Sequence, residues 1–339
     1  MADKQYLDSD GVKYLWDKAA EIYMKQEDVE ALSSYDIDII TGMPSSAEAL
    51  VTLLSNGGPI QLADNITLPE TVTIDKNVIL DLNGYTITAL FDSYAFVATG
   101  TKLTIIGGGI NASHRIAQAI NGGEIIVKSG VFTAGNMGII AEGSGSKITF
   151  DGGILTTNKG SLGAFDGASI EINGGSIKGL DNFSLFTNGT EGRGNNTVII
   201  NNGYLEGNIV SDGYESCAVY IANNDTFIMN NGTIKSTDGC GILMRAGNIT
   251  INGGTVIAEK KSEDSHSPGF VGNAEIPMSA SAVIYHESAN YPGKDGMSLT
   301  INDGEFTGAD HSLEIISNEA EPNVTVTGGT FVPDFPEGG

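Results

Sequence analysis

The residues equipped for chemistry are few and unevenly placed. The chain carries 42 Asp and Glu against 17 Lys and Arg, four histidines and two cysteines. Its only arginines are Arg115, Arg193 and Arg245. Cleaving a polysaccharide takes two carboxyls flanking the scissile bond, or bound calcium with a base that abstracts a proton. No segment sets a dense Asp/Glu pair beside an Arg or Lys, so no catalytic residue is assigned. The richest set of polar groups lies at 260–287, in Glu263, Asp264, His266, Glu275, His286 and Glu287. These are the residues expected to touch a ligand or partner, because irregular insertions on a regular scaffold commonly carry function. His114, His266, His286 and His311 lack metal-binding spacing, and Asp8-Ser9-Asp10-Gly11 lacks the twelfth-position Glu of a calcium loop. No metal site and no cofactor is expected, calcium being the one ion such an acidic surface attracts. A net charge of −25 argues against nucleic acid or an anionic membrane as partner.

What must position these residues is a phrase repeated down most of the chain. It reads apolar-x-apolar, Asn or Asp, Gly-Gly or a close variant, one residue, then an apolar one. Ile170–Ile177 is the cleanest copy; others are Leu103–Ile110, Ile148–Leu155, Ile249–Val256, Leu299–Phe306 and Val324–Phe331. The second glycine slot falls at positions 85, 108, 130, 153, 175, 203, 232, 254, 304 and 329, in steps of 23, 22, 23, 22, 28, 29, 22, 50 and 25. A fixed period near 22 means a solenoid. Alternating apolar residues make each copy a short strand with one buried face. The Asn-Gly-Gly corner tolerates positive φ and turns the chain sharply. A second strand follows the corner, and a third apolar run, such as Ala218–Ile221 or Ile242–Met244, precedes the next copy. No segment between copies has a helical period. The expectation is an all-β, right-handed, single-chain parallel β-helix of about 22 residues per coil and roughly 10–11 coils. The 50-residue step reads as two coils, one of them replaced by an irregular excursion at about 259–280.

The segments outside the repeat differ in kind. In residues 1–34, Val12, Leu15, Ala19, Ile22, Gln26 and Val29 follow a 3-4 spacing, with Trp16 and Tyr23 beside it. That spacing predicts an α-helical anchor with a coiled-coil seam, used for attachment and for homo-oligomerisation, a trimer being favoured. Residues 35–70 read as a linker and a cap: Ser45 to Glu48 forms a capping box that starts a short helix carrying Ala47, Leu50, Val51 and Leu54, stopped at Gly57-Gly58. Residues 71–331 are the solenoid and 332–339 a tail. Cys217 and Cys240 lie 23 apart and each begins a third-strand run, so they stack on adjacent coils, either bonded or as two buried thiols. No stretch is apolar enough to span a membrane, and the opening residues do not read as a secretory signal.

Two segments resemble known families. Ser46–Ile87, with its short helix and Leu82-Asn83-Gly84-Tyr85-Thr86-Ile87 turn followed by the Asn-Gly-Gly coils, resembles the opening of pectate-lyase-like β-helix proteins. That resemblance implies a fold and leaves function open, since lyases, hydrolases, adhesins and virion proteins share it. Tyr6-Leu7-Asp8-Ser9-Asp10-Gly11-Val12-Lys13-Tyr14-Leu15-Trp16-Asp17-Lys18 resembles the opening of structural proteins of tailed bacteriophages, where it precedes fibre, tail or head-appendage modules; Val12 stands where that pattern has Leu. Together they imply a non-enzymatic virion protein, a head fibre, capsid decoration or tail appendage. It would bind other virion proteins through residues 1–34, lie on the virion surface and contact a host-surface glycan. The alternatives are a tailspike-type polysaccharide depolymerase and a bacterial surface adhesin.

Overall fold

The computed structural model describes residues 5–7, 13–17, 22–25, 42–207, 217–260, 279–287, 292–317 and 321–333. From Gly58 onward the chain winds as a right-handed parallel β-helix. Strands follow one another in a repeating cycle, so each pairs with the strand three places on. The result is a first sheet of 11 strands, a second of 11 and a third of 10. The register is regular: Ile148 lies over Ile125, Ile170 over Ile148, Val198 over Ile170. In most strands of the first two sheets burial alternates, as the period-2 pattern requires. Ile172, Ile177, Ile200 and Phe227 are wholly buried in the resulting core.

The Asn-Gly-Gly corner does two jobs. Gly175, at φ 84°, sits where an added Cβ would lie 2.7 Å from the Gly153 carbonyl oxygen of the coil below. Only glycine permits both that conformation and that approach. The corner asparagines stack into a hydrogen-bonded ladder. Asn173 donates to Asp151 at 2.7 Å, Asn201 to Asn173 at 2.8 Å, Asn230 to Asn201 at 2.8 Å, Asn252 to Asn230 at 2.9 Å and Asn302 to Asn252 at 2.8 Å. Each amide both donates and accepts, so the dipoles run head to tail and the donor end meets a carboxylate. Lys128 holds the other oxygen of Asp151 at 2.7 Å.

A helix, Ala47–Asn56 (α1), closes the first coil. Ser46 caps it, its hydroxyl accepting from the Ala49 amide at 3.3 Å, and Gly57 ends it at φ 77°. Leu50 and Leu54 are buried, and the helix packs on the strands Gly58–Gln61, Ile66–Leu68 and Val72–Ile74. The cap is one residue later than the box on Ser45 requires, which puts Glu48 in the first turn but not opposite the capping residue. The three strands just named form the first coil. The solenoid therefore starts at Gly58, ahead of residue 71, and its last strand, Thr330–Val332, ends one residue beyond 331.

Two expectations are corrected. The 50-residue step is one coil: Asn248–Ile251 pairs directly with Ser298–Ile301, and Thr255–Ala258 directly with Glu305–Gly308. A long insertion raises loop-closure entropy only logarithmically, so the coil absorbs it without an extra turn. The second correction concerns the N-terminal segment. The described backbone there is an antiparallel sheet of Gln5–Leu7, Lys13–Asp17 and Ile22–Lys25, not a helix. Leu15 stands opposite Met24, Trp16 opposite Tyr23 and Asp17 opposite Ile22. Tyr14/Trp16 and Ile22/Met24 also satisfy a period of two, β-branched and aromatic residues favour strands, and a helix this short is marginal alone. Val12, Ala19, Gln26 and Val29 lie outside the described residues.

Candidate functional site

The third sheet departs from the alternating pattern, and the departure locates the site. Its strands Cys217–Ile221, Cys240–Met244 and Ser281–His286 are buried at every position. A strand buried on both faces reads as a continuous apolar run. The inward residues join the main core. The outward ones form a second cluster that includes Ile140, Phe183, Phe186, Tyr220, Leu243 and Ile284. Phe165 meets Phe186 edge-on at 5.6 Å, and Phe183 stacks on Tyr220 at 5.4 Å. Glycine makes room for them: a Cβ on Gly160 would fall 2.2 Å from the Phe186 ring.

All three arginines adjoin this sheet. Arg115 opens the strand Arg115–Ile120 and lies over the Tyr94 ring at 5.1 Å. Arg193, on the loop after Leu185–Thr187, reaches back across two coils. Its Nε and Nη2 donate to both oxygens of Asp166 at 2.8 and 2.7 Å, Nη2 also donates to Glu142, and the guanidinium covers the Phe165 ring at 5.4 Å. Those two carboxylates hold the guanidinium protonated well above its ordinary range. Gln118 donates to the other oxygen of Glu142 at 2.8 Å. Arg245 follows the strand Cys240–Met244 and is 1 % exposed. It stands beside His286, one register step beyond the Met244–Tyr285 pair.

Burial, reinforced by the Arg245 charge, lowers the pKa of His286 to about 4, so the ring is neutral at physiological pH. Where the third sheet turns into the first, Asp225 is fully buried. Its Oδ1 accepts from the Asn196 backbone and side chain at 2.8 and 3.0 Å, and Asn196 in turn accepts from the Gly167 and Ala168 amides. Burial outweighs those hydrogen bonds and pushes the Asp225 carboxyl up to about 6. Beside this corner lies a polar groove of about 470 Å³ lined by Glu191, Asn195, Asn223, Asn224 and Pro292, among others. Asn195 and Asn224 bridge each other across adjacent coils.

Of the residues expected to touch a ligand, Glu263, Asp264, His266 and Glu275 lie outside the described residues. His286 faces outward on the third sheet yet is buried against its neighbours, and Glu287 accepts from Ser317 at 2.6 Å. Cys217 and Cys240 stand opposite each other on adjacent strands, buried, with no disulfide between them. The aromatic cluster was missed. Its signal was present in the third-strand runs CAVYI and CGILM, apolar throughout where the first- and second-sheet strands alternate. Among the described residues no three His, Cys, Asp or Glu converge as metal ligands. Comparison of the chain with protein-family models, with curated proteins and with solved structures finds no match in any of the three.

Proposed function

We propose that this chain is a non-enzymatic structural protein of a tailed-phage virion: a head fibre, capsid decoration or tail appendage. It attaches through residues 1–34 and holds the β-helix outward to contact a host-surface glycan. The observation that supports a non-enzymatic role is the state of its acids. A general acid needs a raised pKa and access to substrate. Among the described residues the acid so raised, Asp225, is fully enclosed, while six carboxylates on the accessible faces are each paired with a cation of another coil. Glu124 pairs with Lys102, Asp151 with Lys128, Glu171 with Lys147, Glu206 with Lys178, and Glu142 and Asp166 with Arg193. A stack of such ladders gives a stiff rod suited to display. The attachment and virion assignment rest on the resemblance of residues 6–18.

The third-sheet face is the side assigned to glycan contact, through its half-buried Tyr94 and Phe165 rings and the half-buried Arg115 beside Tyr94, since aromatic rings and guanidinium groups offer stacking and hydrogen bonds. The test is gold-labelled antibody against this chain on purified phage particles, together with incubation of the protein with host capsular polysaccharide. The expected result is label on the particle surface and unchanged polysaccharide chain length. Unlabelled particles would refute the virion role, and new reducing or unsaturated ends would establish the depolymerase instead.

A further inference from the structure

An asparagine followed by glycine carries a reaction of its own. With no side chain on the glycine, its backbone nitrogen meets the asparagine side-chain carbonyl unhindered. The chain has eight such pairs. Four of them, at Asn173, Asn202, Asn231 and Asn252, stand where the first sheet turns into the second. The fold treats these four in two ways. Asn173 and Asn252 hold the first corner position and belong to the amide ladder. The Asn173 Nδ2 donates to Asp151 at 2.7 Å and its Oδ1 accepts from Asn201 at 2.8 Å. Asn252 likewise donates to Asn230 at 2.9 Å and accepts from Asn302 at 2.8 Å. Both side chains are thus tied at each end to other coils. Asn202 and Asn231 fall one position later, outside that ladder. The Asn202 Oδ1 accepts from the backbone N–H of its own neighbour, Gly203, at 2.9 Å. Asn202 and Asn252 are both exposed, so access to solvent does not separate them. Asp303, at the equivalent position three coils on, makes the same contact with the Gly304 N–H at 2.8 Å, so the geometry belongs to the corner.

We propose that Asn202 is a site of spontaneous covalent modification: deamidation through a cyclic imide, with water as the co-reactant. The 2.9 Å contact brings the Gly203 nitrogen to the Asn202 side-chain carbonyl, close to the ~3–3.5 Å spacing of a near-attack geometry. Hydroxide takes the Gly203 amide proton, and the nitrogen attacks Cγ. The new C–N bond closes a five-membered imide. The Cγ–Nδ2 bond breaks and releases ammonia, which takes its third proton from water and so returns the hydroxide. Water then opens the ring. Opening at the former side-chain carbonyl leaves an aspartyl residue, and opening at the main-chain carbonyl leaves an isoaspartyl link. Asn173 and Asn252 must first give up two ladder hydrogen bonds, which slows them by about tenfold or more. Either product adds a carboxylate to the corner. The isoaspartyl form also lengthens the main chain by a methylene just ahead of Tyr204, whose N–H bonds the Gly175 carbonyl at 2.9 Å. The coil thereby carries a mark of age at one defined position.

The test is timed incubation of the full folded chain at pH 8.5 and at pH 6. Tandem mass spectrometry of its peptides locates each deamidated site, and isoaspartyl methyltransferase labelling detects the rearranged link. The expected result is that Asn202 leads the four corner sites and reacts about tenfold or more faster than Asn173 and Asn252. It should react faster at pH 8.5 than at pH 6, because hydroxide starts the attack. Unfolding in guanidinium chloride should abolish its lead, since the ladder and the corner contact are then both lost. Asn302→Ala frees the Asn252 carbonyl oxygen. With the wild-type circular dichroism spectrum retained, this variant should deamidate severalfold faster at Asn252 and at the wild-type rate at Asn202. Asn202→Gln should remove the early mass change and the early methyl label together. Equal rates at Asn202 and Asn252 in the folded chain would overturn the proposal, as would a lead for Asn202 that persists in guanidinium chloride or an Asn252 rate unmoved by Asn302→Ala.

Discussion

Asp225 sits fully buried where the third sheet turns into the first, and burial moves its carboxyl from 3.8 up to about 6. A raised carboxyl pKa means the folded state resists ionisation. Above pH 6 folding therefore carries a penalty of up to about 3 kcal/mol, which shrinks as pH falls and vanishes below 3.8, where both states are protonated. Asp225→Asn keeps an oxygen for Asn196 and removes the charge. It should raise Tm at pH 8 and leave stability at pH 3.5 nearly unchanged; equal shifts at both would rule out burial as the cause. His286 has the opposite sense. Its ring stays neutral down to about 4 while the unfolded chain takes up a proton near 6.5. The stability it contributes is complete above 6.5 and is lost as pH falls toward 4. His286→Gln should flatten that acid limb, as read from urea midpoints between pH 7 and 4.5. An unchanged slope would show that other groups drive it.

The ladders are the elements that keep the coils in register. Asn230 donates to Asn201 and accepts from Asn252 at an exposed corner. Asn230→Ala removes both bonds and should lower stability by about 1–2 kcal/mol without altering the fold. Ile172, two strands earlier in the first sheet, points into the core at 0 % exposure. Ile172→Asp places an unpaired carboxylate there and should prevent folding of the central coils, a loss of several kcal/mol. Lys178→Ala removes a surface partner of Glu206 and should change stability by less than about 1 kcal/mol. Urea denaturation followed by circular dichroism separates the three, and comparable losses for Ile172→Asp and Lys178→Ala would contradict the register.

At the scale of the whole molecule, α1 closes the solenoid independently of what precedes it. Removing residues 1–34 should therefore leave a folded β-helix with an unchanged melting temperature that no longer joins the particle. Normal occupancy of the truncated protein on particles would refute the attachment role. The expected trimer was argued from a helical seam, and the described backbone of that segment is an antiparallel sheet. A sheet offers edges and a face for attachment, where a helix offers a seam.

The period near 22, the inward columns and the Asn-Gly-Gly corners were legible in the sequence because each depends on neighbours a few residues apart. Alternation places Ile170 and Ile172 inside whatever lies above them, and positive φ at Gly175 is a local demand. The cap helix was legible for the same reason, to within one residue at Ser46. Coil stacking was not always so. A step of 50 divides as well into two coils as into one with an insertion, and only the pairing of Thr255 with Glu305 decides between them. Tyr14, Leu15 and Trp16 satisfy both a helical and a strand period, and only cross-strand pairing with Lys25, Met24 and Tyr23 chooses the strand. The site followed the same logic. Arg193 is 27 residues from Asp166 and 51 from Glu142, yet holds both, because the solenoid brings residues one and two coils apart within reach of one side chain. Local preference sets the repeating unit; which units touch is decided by hydrogen bonds and burial between coils.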